Sequence, residues 1–290
     1  MKQLVMVTGA GGQLGEAVAA QLAGRHEVVA LRRHELDLSD ANAVHSTVGS
    51  ICPDVIVNCA AFTNVDAAER EPLLALSANA WGVRTLARAA IDINATLVHY
   101  STDFVFDGTI DRPYTEEDEP NPRGTYAVSK LLGEWFAYDV PTHYVLRVES
   151  LFGGHRGASS IDKMLRLLRN GEEVRAFNDR TVSPSFVEDV IAATLGLLER
   201  QSPSGLYHCV NTGWTTWAGV AHELARLLDL PNAPIKEIPM GDAGLLAPRP
   251  RFAAMSNRKL LDEGIDMPTW QSALARYTDG VRPGSDQGQT

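Results

Sequence analysis

Thr8-Gly9-Ala10-Gly11-Gly12-Gln13-Leu14-Gly15 is the stretch on which the fold turns. It follows the short apolar run Leu4–Val7 and leads into a segment of helical periodicity that starts near Gln13. A strand that passes through such a GxxGxxG turn into a helix makes an anion cradle. Glycine permits the tight turn and keeps Cβ atoms away from a pyrophosphate, and Gly15 lets the helix pack close to the sheet. The unpaired N–H groups of the helix start then face the anion. A Gly-rich turn alone also serves as a plain tight loop; its place at the head of a βαβ series favours the cradle. Gly9, Gly12 and Gly15 are therefore candidate cofactor contacts.

Outward from the turn, β-branched apolar runs alternate with helical segments: strands at Leu4–Val7, Val28–Leu31, Val55–Asn58, Leu97–Tyr100 and Tyr144–Arg147, helices starting near Gln13, Asp40 and Tyr126, and a helical stretch Ala68–Ala90 in one or two pieces. The alternation predicts an α/β fold with a doubly wound parallel sheet of Rossmann type, its ligands at the carboxyl ends of the strands. After Arg147 the rhythm changes. Gly153-Gly154 precedes a basic amphipathic helix over about Ser160–Arg169, and a further helix begins near Val187. Leu206–Val210 reads as a strand returning to the main sheet, and helix Trp217–Leu228 with the Pro-rich 231–250 region completes a smaller lobe. The division expected is a dinucleotide-binding domain over 1–150 with a returning strand near 205–211, an interleaved substrate lobe over 151–280, and a disordered tail over 281–290.

With 290 residues, 44% of them hydrophobic, the chain can bury a large core. No apolar run reaches the length of a membrane span, and Met1-Lys2 leads directly into the first strand without a signal-peptide pattern, so a cytoplasmic protein without a membrane partner is expected. The net charge of −10 repels nucleic acid and no basic patch offsets it, whereas a few arginines in one cleft can still hold an anionic small molecule. Cys52, Cys59 and Cys209 lack metal-binding spacing and are odd in number, so all three are expected to be buried small side chains, with no metal site.

Where an acidic residue would hold the adenosine ribose at the end of the second strand, the chain has Leu31-Arg32-Arg33. Two guanidinium groups suit a 2′-phosphate, which favours NADP(H) and leaves NAD(H) admissible; solvated surface arginines are the alternative. Tyr126-Ala127-Val128-Ser129-Lys130 puts a phenol and an ammonium four residues apart, on one helix face. A phenol with an ordinary pKa of about 10 needs a neighbouring cation to exchange its proton nearer neutrality. In isolation the pair is a common surface feature, but His99-Tyr100-Ser101-Thr102-Asp103 also brings hydroxyls to the carboxyl edge of the sheet. Thr102 is placed to bond a substrate carbonyl, Tyr126 to give the proton, and Lys130 to lower the affinity of the tyrosine for it and to bind the nicotinamide ribose.

These segments, with Asn58-Cys59-Ala60-Ala61-Phe62-Thr63-Asn64-Val65-Asp66, Ser101 to Gly108, Gly205-Leu206-Tyr207-His208, Thr215-Thr216-Trp217 and Arg249-Pro250, resemble the extended short-chain dehydrogenases, and within them the dTDP-4-dehydrorhamnose reductase family. The resemblance implies NAD(P)H-dependent reduction of the C4 ketone of a nucleotide-linked 6-deoxysugar, with Thr102, Tyr126 and Lys130 catalytic. It implies Gly12, Gln13, Leu14, Ala61, Phe62, Thr63 and Tyr100 along the cofactor and Asp37-Leu38 about its adenine. Asp103 and Arg249 would approach the sugar nucleotide; Arg249 is alternatively a surface residue of its Pro-rich loop. Three positions depart from the family pattern. Ser150 replaces a tryptophan that contacts the sugar, Phe104 replaces a tyrosine, and Arg180-Thr181-Val182-Ser183-Pro184-Ser185 replaces a Gln-containing turn. All three bear on what fills the pocket.

Two rival functions share these features. A nucleotide-sugar epimerase or dehydratase uses the same tyrosine and lysine, although Thr102 is followed by one carboxylate, Asp103, and not by the acid-base pair that dehydration needs. A non-catalytic NAD(P)-binding regulatory subunit has no reason to keep all of Thr102, Tyr126 and Lys130. Exposed helices in this fold commonly pair, which leaves a homodimer open.

Overall fold

Val5 and Val7 point to one face of the first strand and Met6 to the other, and all three are fully buried, as a strand covered on both sides requires. In the computed structural model, which describes residues 2–154 and 159–281, the chain runs β1 (Leu4–Thr8), α1 (Gln13–Ala23), β2 (Glu27–Leu31), α2 (Ala41–Ile51), β3 (Val55–Asn58), α3 (Val65–Arg70), α4 (Pro72–Leu76), α5 (Gly82–Asp92), β4 (Thr96–Thr102), α6 (Thr125–Ala137) and β5 (His143–Val148). It continues through β6 (Leu151–Phe152), α7 (Ser160–Arg169), β7 (Val174–Phe177), β8 (Thr181–Val182), β9 (Ser185–Phe186), α8 (Val187–Arg200), β10 (Gly205–His208), β11 (Thr215–Thr216), α9 (Trp217–Leu227), β12 (Ile235–Ile238), α10 (Arg258–Asp262) and α11 (Trp270–Gly280).

Six parallel strands form the main sheet in the order β10-β5-β4-β3-β1-β2. Leu14, Val18 and Leu22 of α1 and Val190, Ile191 and Leu197 of α8 cover one face. Val44 and Val48 of α2, with Val83, Leu86 and Ala90 of α5, cover the other. The strand order reverses between β1 and β3, so their carboxyl ends open a crevice at the switch point. A second core lies apart from the sheet, where Phe152, Ile161, Leu165, Leu168, Val220, Leu224 and Trp270 pack α7, α9 and α11 around the parallel pair of β7 and β12.

The helical stretch expected over Ala68–Ala90 in one or two pieces comes as two, α3 and a continuous run from α4 through a π-helical turn over Ser77–Trp81 into α5. Pro72 cannot donate into a preceding turn and so starts a new helix. The π turn coincides with Asn79, which accepts the Phe62 N–H at 2.8 Å and donates to the Phe62 carbonyl and to Ser129 Oγ, both at 3.0 Å. One expectation needs correction, because the cysteines differ among themselves: Cys209 is buried, Cys59 half-buried, and Cys52 exposed as the left-handed cap of α2 with φ 49°. Of the expected tail, residues 282–290 lie outside the described residues.

Candidate active site

The turn after β1 is built on close backbone approach. Gly9 has φ +68°, and a Cβ there would lie 2.6 Å from the Ala60 nitrogen. A Cβ on Gly15 would collide with the Gly9 carbonyl oxygen, so both positions exclude larger residues. Gly12 caps α1 without any side-chain hydrogen bond, which leaves the first-turn N–H groups of α1 available to an anion. Gln13 Nε2 donates to the Gly153 carbonyl at 2.8 Å and ties the turn to the start of the smaller lobe.

A cavity of about 550 Å³ runs from this turn along the carboxyl edge of the sheet. Gly12, Gln13, Leu14, Gly15, Ala61, Thr63, Tyr100, Thr102, Asp103, Tyr126, Lys130 and Ser150 line it. A second, of about 620 Å³, shares Gly12, Ala61 and Thr63 and continues past Gly9, Phe62, Arg32, Arg33, Asp37 and Leu38. Arg33 Nε meets Asp37 at 3.2 Å with its side chain 80% exposed, and the Ser39 backbone N–H and hydroxyl with Arg33 hold the Asp37 carboxyl below its usual range. Arg249 stands elsewhere. It lines a third cavity of about 500 Å³, which meets the first at Ser160, Arg180 and Trp217, and its guanidinium pairs with Asp66 at 2.8 Å. That pairing and the Ala247 N–H hold Asp66 down at about 2.

Tyr126 sits in the first turn of α6, whose N-cap, Gly124, has no side chain to offer. Glu69 of α3 takes over that task, accepting the Thr125 N–H at 2.7 Å and its hydroxyl at 3.1 Å, and so aims the tyrosine. The phenol is buried against Phe104, whose ring meets it edge-on at 5.5 Å, with the Thr102 hydroxyl beside it. Burial pushes it up to about 12, the neighbouring Thr102 hydroxyl opposes the rise and the Asp103 charge adds to it. Lys130 is not among the groups that act on the phenol here. Lys130 Nζ instead donates to the Tyr100 carbonyl at 2.6 Å, and burial lowers Lys130 to about 8 against the opposing charge of Glu134.

Glu134, one turn beyond Lys130, accepts both prongs of the Arg147 guanidinium at 2.9 and 2.7 Å and the Ser101 hydroxyl at 2.5 Å. Neither side chain of the ion pair is more than 2% exposed. A second buried cluster lies beyond Thr102, whose hydroxyl donates to Asp103 at 3.0 Å. Arg180 lies over the Phe104 ring and 3.6 Å from Asp103, while Glu149 accepts the Ser183 N–H at 2.7 Å. Burial raises both carboxyls, Glu149 well above its ordinary range, and one polar atom of each of the three side chains lacks a hydrogen-bond partner. Glu69, Asn79, Glu134 and Glu149 were not among the candidates from sequence, and Arg180 entered there only as part of the divergent turn that bears on the pocket. Of these, Glu134 carried a signal, its i+4 spacing from Lys130; the others are brought in by contacts remote along the chain.

The model of the RmlD substrate binding domain matches residues 1–282. A dTDP-4-dehydrorhamnose reductase of Streptomyces griseus is 38% identical over 279 residues, 93% of this chain and 91% of that one. A dTDP-4-keto-6-deoxy-D-glucose reductase of Streptomyces niveus is 35% identical over 275 residues, 93% of this chain and 95% of its own length. Among solved structures, the dTDP-4-dehydrorhamnose reductase of Bacillus anthracis in complex with NADP superimposes with a TM-score of 0.91 at 31% identity, covering 97% of this chain and 100% of that one.

Proposed function

We propose, because the chain belongs to the RmlD substrate binding domain family, that it reduces the C4 ketone of a nucleotide-linked 6-deoxysugar with NADPH, or less readily with NADH. One observation carries the reading. Thr102, Tyr126 and Lys130 stand on the wall of a cavity that continues, through Gly12 and Ala61, over the glycine turn and on to Arg32 and Arg33. The residues there fit a dinucleotide, because the Gly9 and Gly15 positions admit no side chain and the start of α1 offers unpaired N–H groups. When bound, the cofactor supplies a hydride from C4 of its nicotinamide.

In this reading Tyr126 gives its proton to the ketone oxygen, and Thr102 orients that oxygen through its hydroxyl. Lys130 would hold the nicotinamide ribose, and Arg32 and Arg33 the 2′-phosphate. Asp103 and Ser150 border the sugar. The nucleoside diphosphate extends into the third cavity, where Lys163, Arg175, Arg180 and Arg249 supply positive charge that a chain of net charge −10 does not offer globally. The division of the chain into a cofactor half, 1–150 with the returning strand, and a substrate lobe over 151–280 belongs to the same proposal.

No helix among the described residues is long and apolar enough to cross a membrane; a cytoplasmic location is part of the proposal. So is a homodimer, for which the exposed Trp81 and Trp135 offer a face and which light scattering would test. The function is tested by following NADPH oxidation against a panel of nucleotide 4-keto-6-deoxysugars, with product configuration read by NMR. Reduction of one of them at enzymatic rates is the expected result. Stoichiometric, tightly held NAD with no net NADPH consumption would mark an epimerase, and binding without turnover a regulatory subunit.

A further inference from the structure

His99 on β4 is fully buried behind the proposed catalytic lysine, and the mechanism above gives it no task. Its Nδ1 lies 3.0 Å from Asn58 Nδ2, and its Nε2 lies 3.5 Å from Lys130 Nζ. Which of these two nitrogens carries the proton follows from the neighbours of Asn58. Asn58 Oδ1 accepts the Thr8 hydroxyl at 2.7 Å and the Ala60 backbone N–H at 3.1 Å. A backbone N–H can only donate, so the oxygen of the Asn58 amide must face Ala60 and the NH2 group must face His99. An amide NH2 also only donates, so His99 Nδ1 must present its lone pair. Burial and the neighbouring Lys130 charge hold the imidazole neutral, far below its usual range. A neutral ring that accepts at Nδ1 carries its proton on Nε2, the nitrogen turned towards Lys130.

We propose that Asn58 locks His99 in the Nε2–H form and that this N–H, facing Lys130, sets how readily the catalytic lysine gives up its proton. A neutral amine at Lys130 donates to the Tyr100 carbonyl and takes the His99 N–H on its lone pair. An ammonium has no lone pair, so the same contact then sets donor against donor at 3.5 Å. The lysine is thereby biased towards the neutral form relative to the same pocket without the imidazole N–H. The other groups facing Lys130 are Glu134 from the next turn of α6, whose charge favours the ammonium, and Cys59 from the loop after β3, whose thiol burial pushes up and so keeps uncharged. His99 is accordingly a positioning residue, two steps from the glycine turn through Asn58 and Thr8, and its importance for turnover rests on the proposed function.

The test needs no substrate. Long-range 1H–15N NMR of the full-length protein distinguishes the two neutral tautomers directly, and the Nε2–H pattern is expected for His99, its signals assigned from their loss in His99→Phe. An Nδ1–H pattern, or a ring that titrates near pH 6.5, overturns the inference without touching the assignment of function. The second readout is the 13C NMR titration of the Lys130 ε-carbon, one of only five lysines in the chain. Its midpoint is expected to move up by one pH unit or more in His99→Phe, which removes the facing N–H. It should also move up in Asn58→Asp, whose carboxylate accepts from Nδ1 and turns the Nε2 lone pair to Lys130. If both variants fold and neither moves the midpoint, the imidazole is only a packing element; if neither folds, the tautomer of the unaltered protein decides alone.

Discussion

Glu134→Gln isolates the buried ion pair behind the site, and the structure fixes the size of its effect. The Glu134 carboxylate faces three donors, two from Arg147 and one from Ser101, in a pocket where both charged side chains are at most 2% exposed. An amide of the same shape keeps one acceptor and turns an NH2 group towards the guanidinium. Arg147 then stays buried with its charge uncompensated, which costs on the order of 3–5 kcal/mol. For a urea dependence of about 3 kcal/mol per molar, the midpoint of unfolding falls by about 1 to 1.7 M. A second consequence reaches Lys130. Burial lowers this lysine from 10.5 to about 8 and Glu134 opposes that shift, so loss of the carboxylate lowers it further. The ammonium is present below its pKa and lost as pH rises through it, so the alkaline fall in kcat/KM, expected near pH 8, moves to lower pH. Urea titration followed by circular dichroism and a pH profile of kcat/KM read the two effects separately. Glu134→Leu with Arg147→Met, which removes both charges, should regain most of the lost stability. A midpoint within about 0.3 M of the starting protein would refute the reasoning, because a pair free to exchange with water is worth about 0–1 kcal/mol.

Tyr126→Phe should lower turnover by at least about a hundredfold, the scale of a lost general acid, with NADPH affinity by fluorescence titration nearly unchanged; unaltered turnover would show that the proton comes from elsewhere. Arg32→Ala combined with Arg33→Ala should weaken NADPH binding more than NADH binding in calorimetric titrations, and equal losses would remove the 2′-phosphate assignment. Gly15→Ala forces a Cβ against the Gly9 carbonyl and should cost about 1–3 kcal/mol of stability by overpacking. The same substitution should weaken NADPH binding tenfold or more; cofactor affinity equal to that of the unaltered protein would mean that the turn is not the cradle.

The main sheet was legible because its information is local. Each strand of the first half is a β-branched run whose alternate side chains serve opposite faces, and the turn after β1 demands glycine for steric reasons that hold in any context. The split between α3 and α4 was legible at Pro72. The π turn depends on Asn79 meeting Phe62 and Ser129, a contact made by the fold and not by helical periodicity. Cys52 was misjudged for a similar reason. Residue type favours burial, but the left-handed cap is placed by where α2 must end, and Cys52 in that position faces solvent.

The chemistry of the site divides along the same line. That Tyr126 and Lys130 share a helix face follows from their spacing, but their acidities follow from what surrounds them. Spacing suggests a lysine that acidifies a tyrosine; the fold turns the ammonium to the Tyr100 carbonyl and buries the phenol, which pushes it up to about 12. For an enzyme that oxidised alcohols this would be a handicap, since the phenolate would be scarce at neutral pH. For a reductase it is the better arrangement. The phenol must still hold its proton when the hydride arrives, and the alkoxide formed at C4 is more basic than a phenolate of pKa about 12, so the transfer remains downhill. The depth of Tyr126, and not only its identity, thus suits it to hold the proton that the proposed reduction consumes.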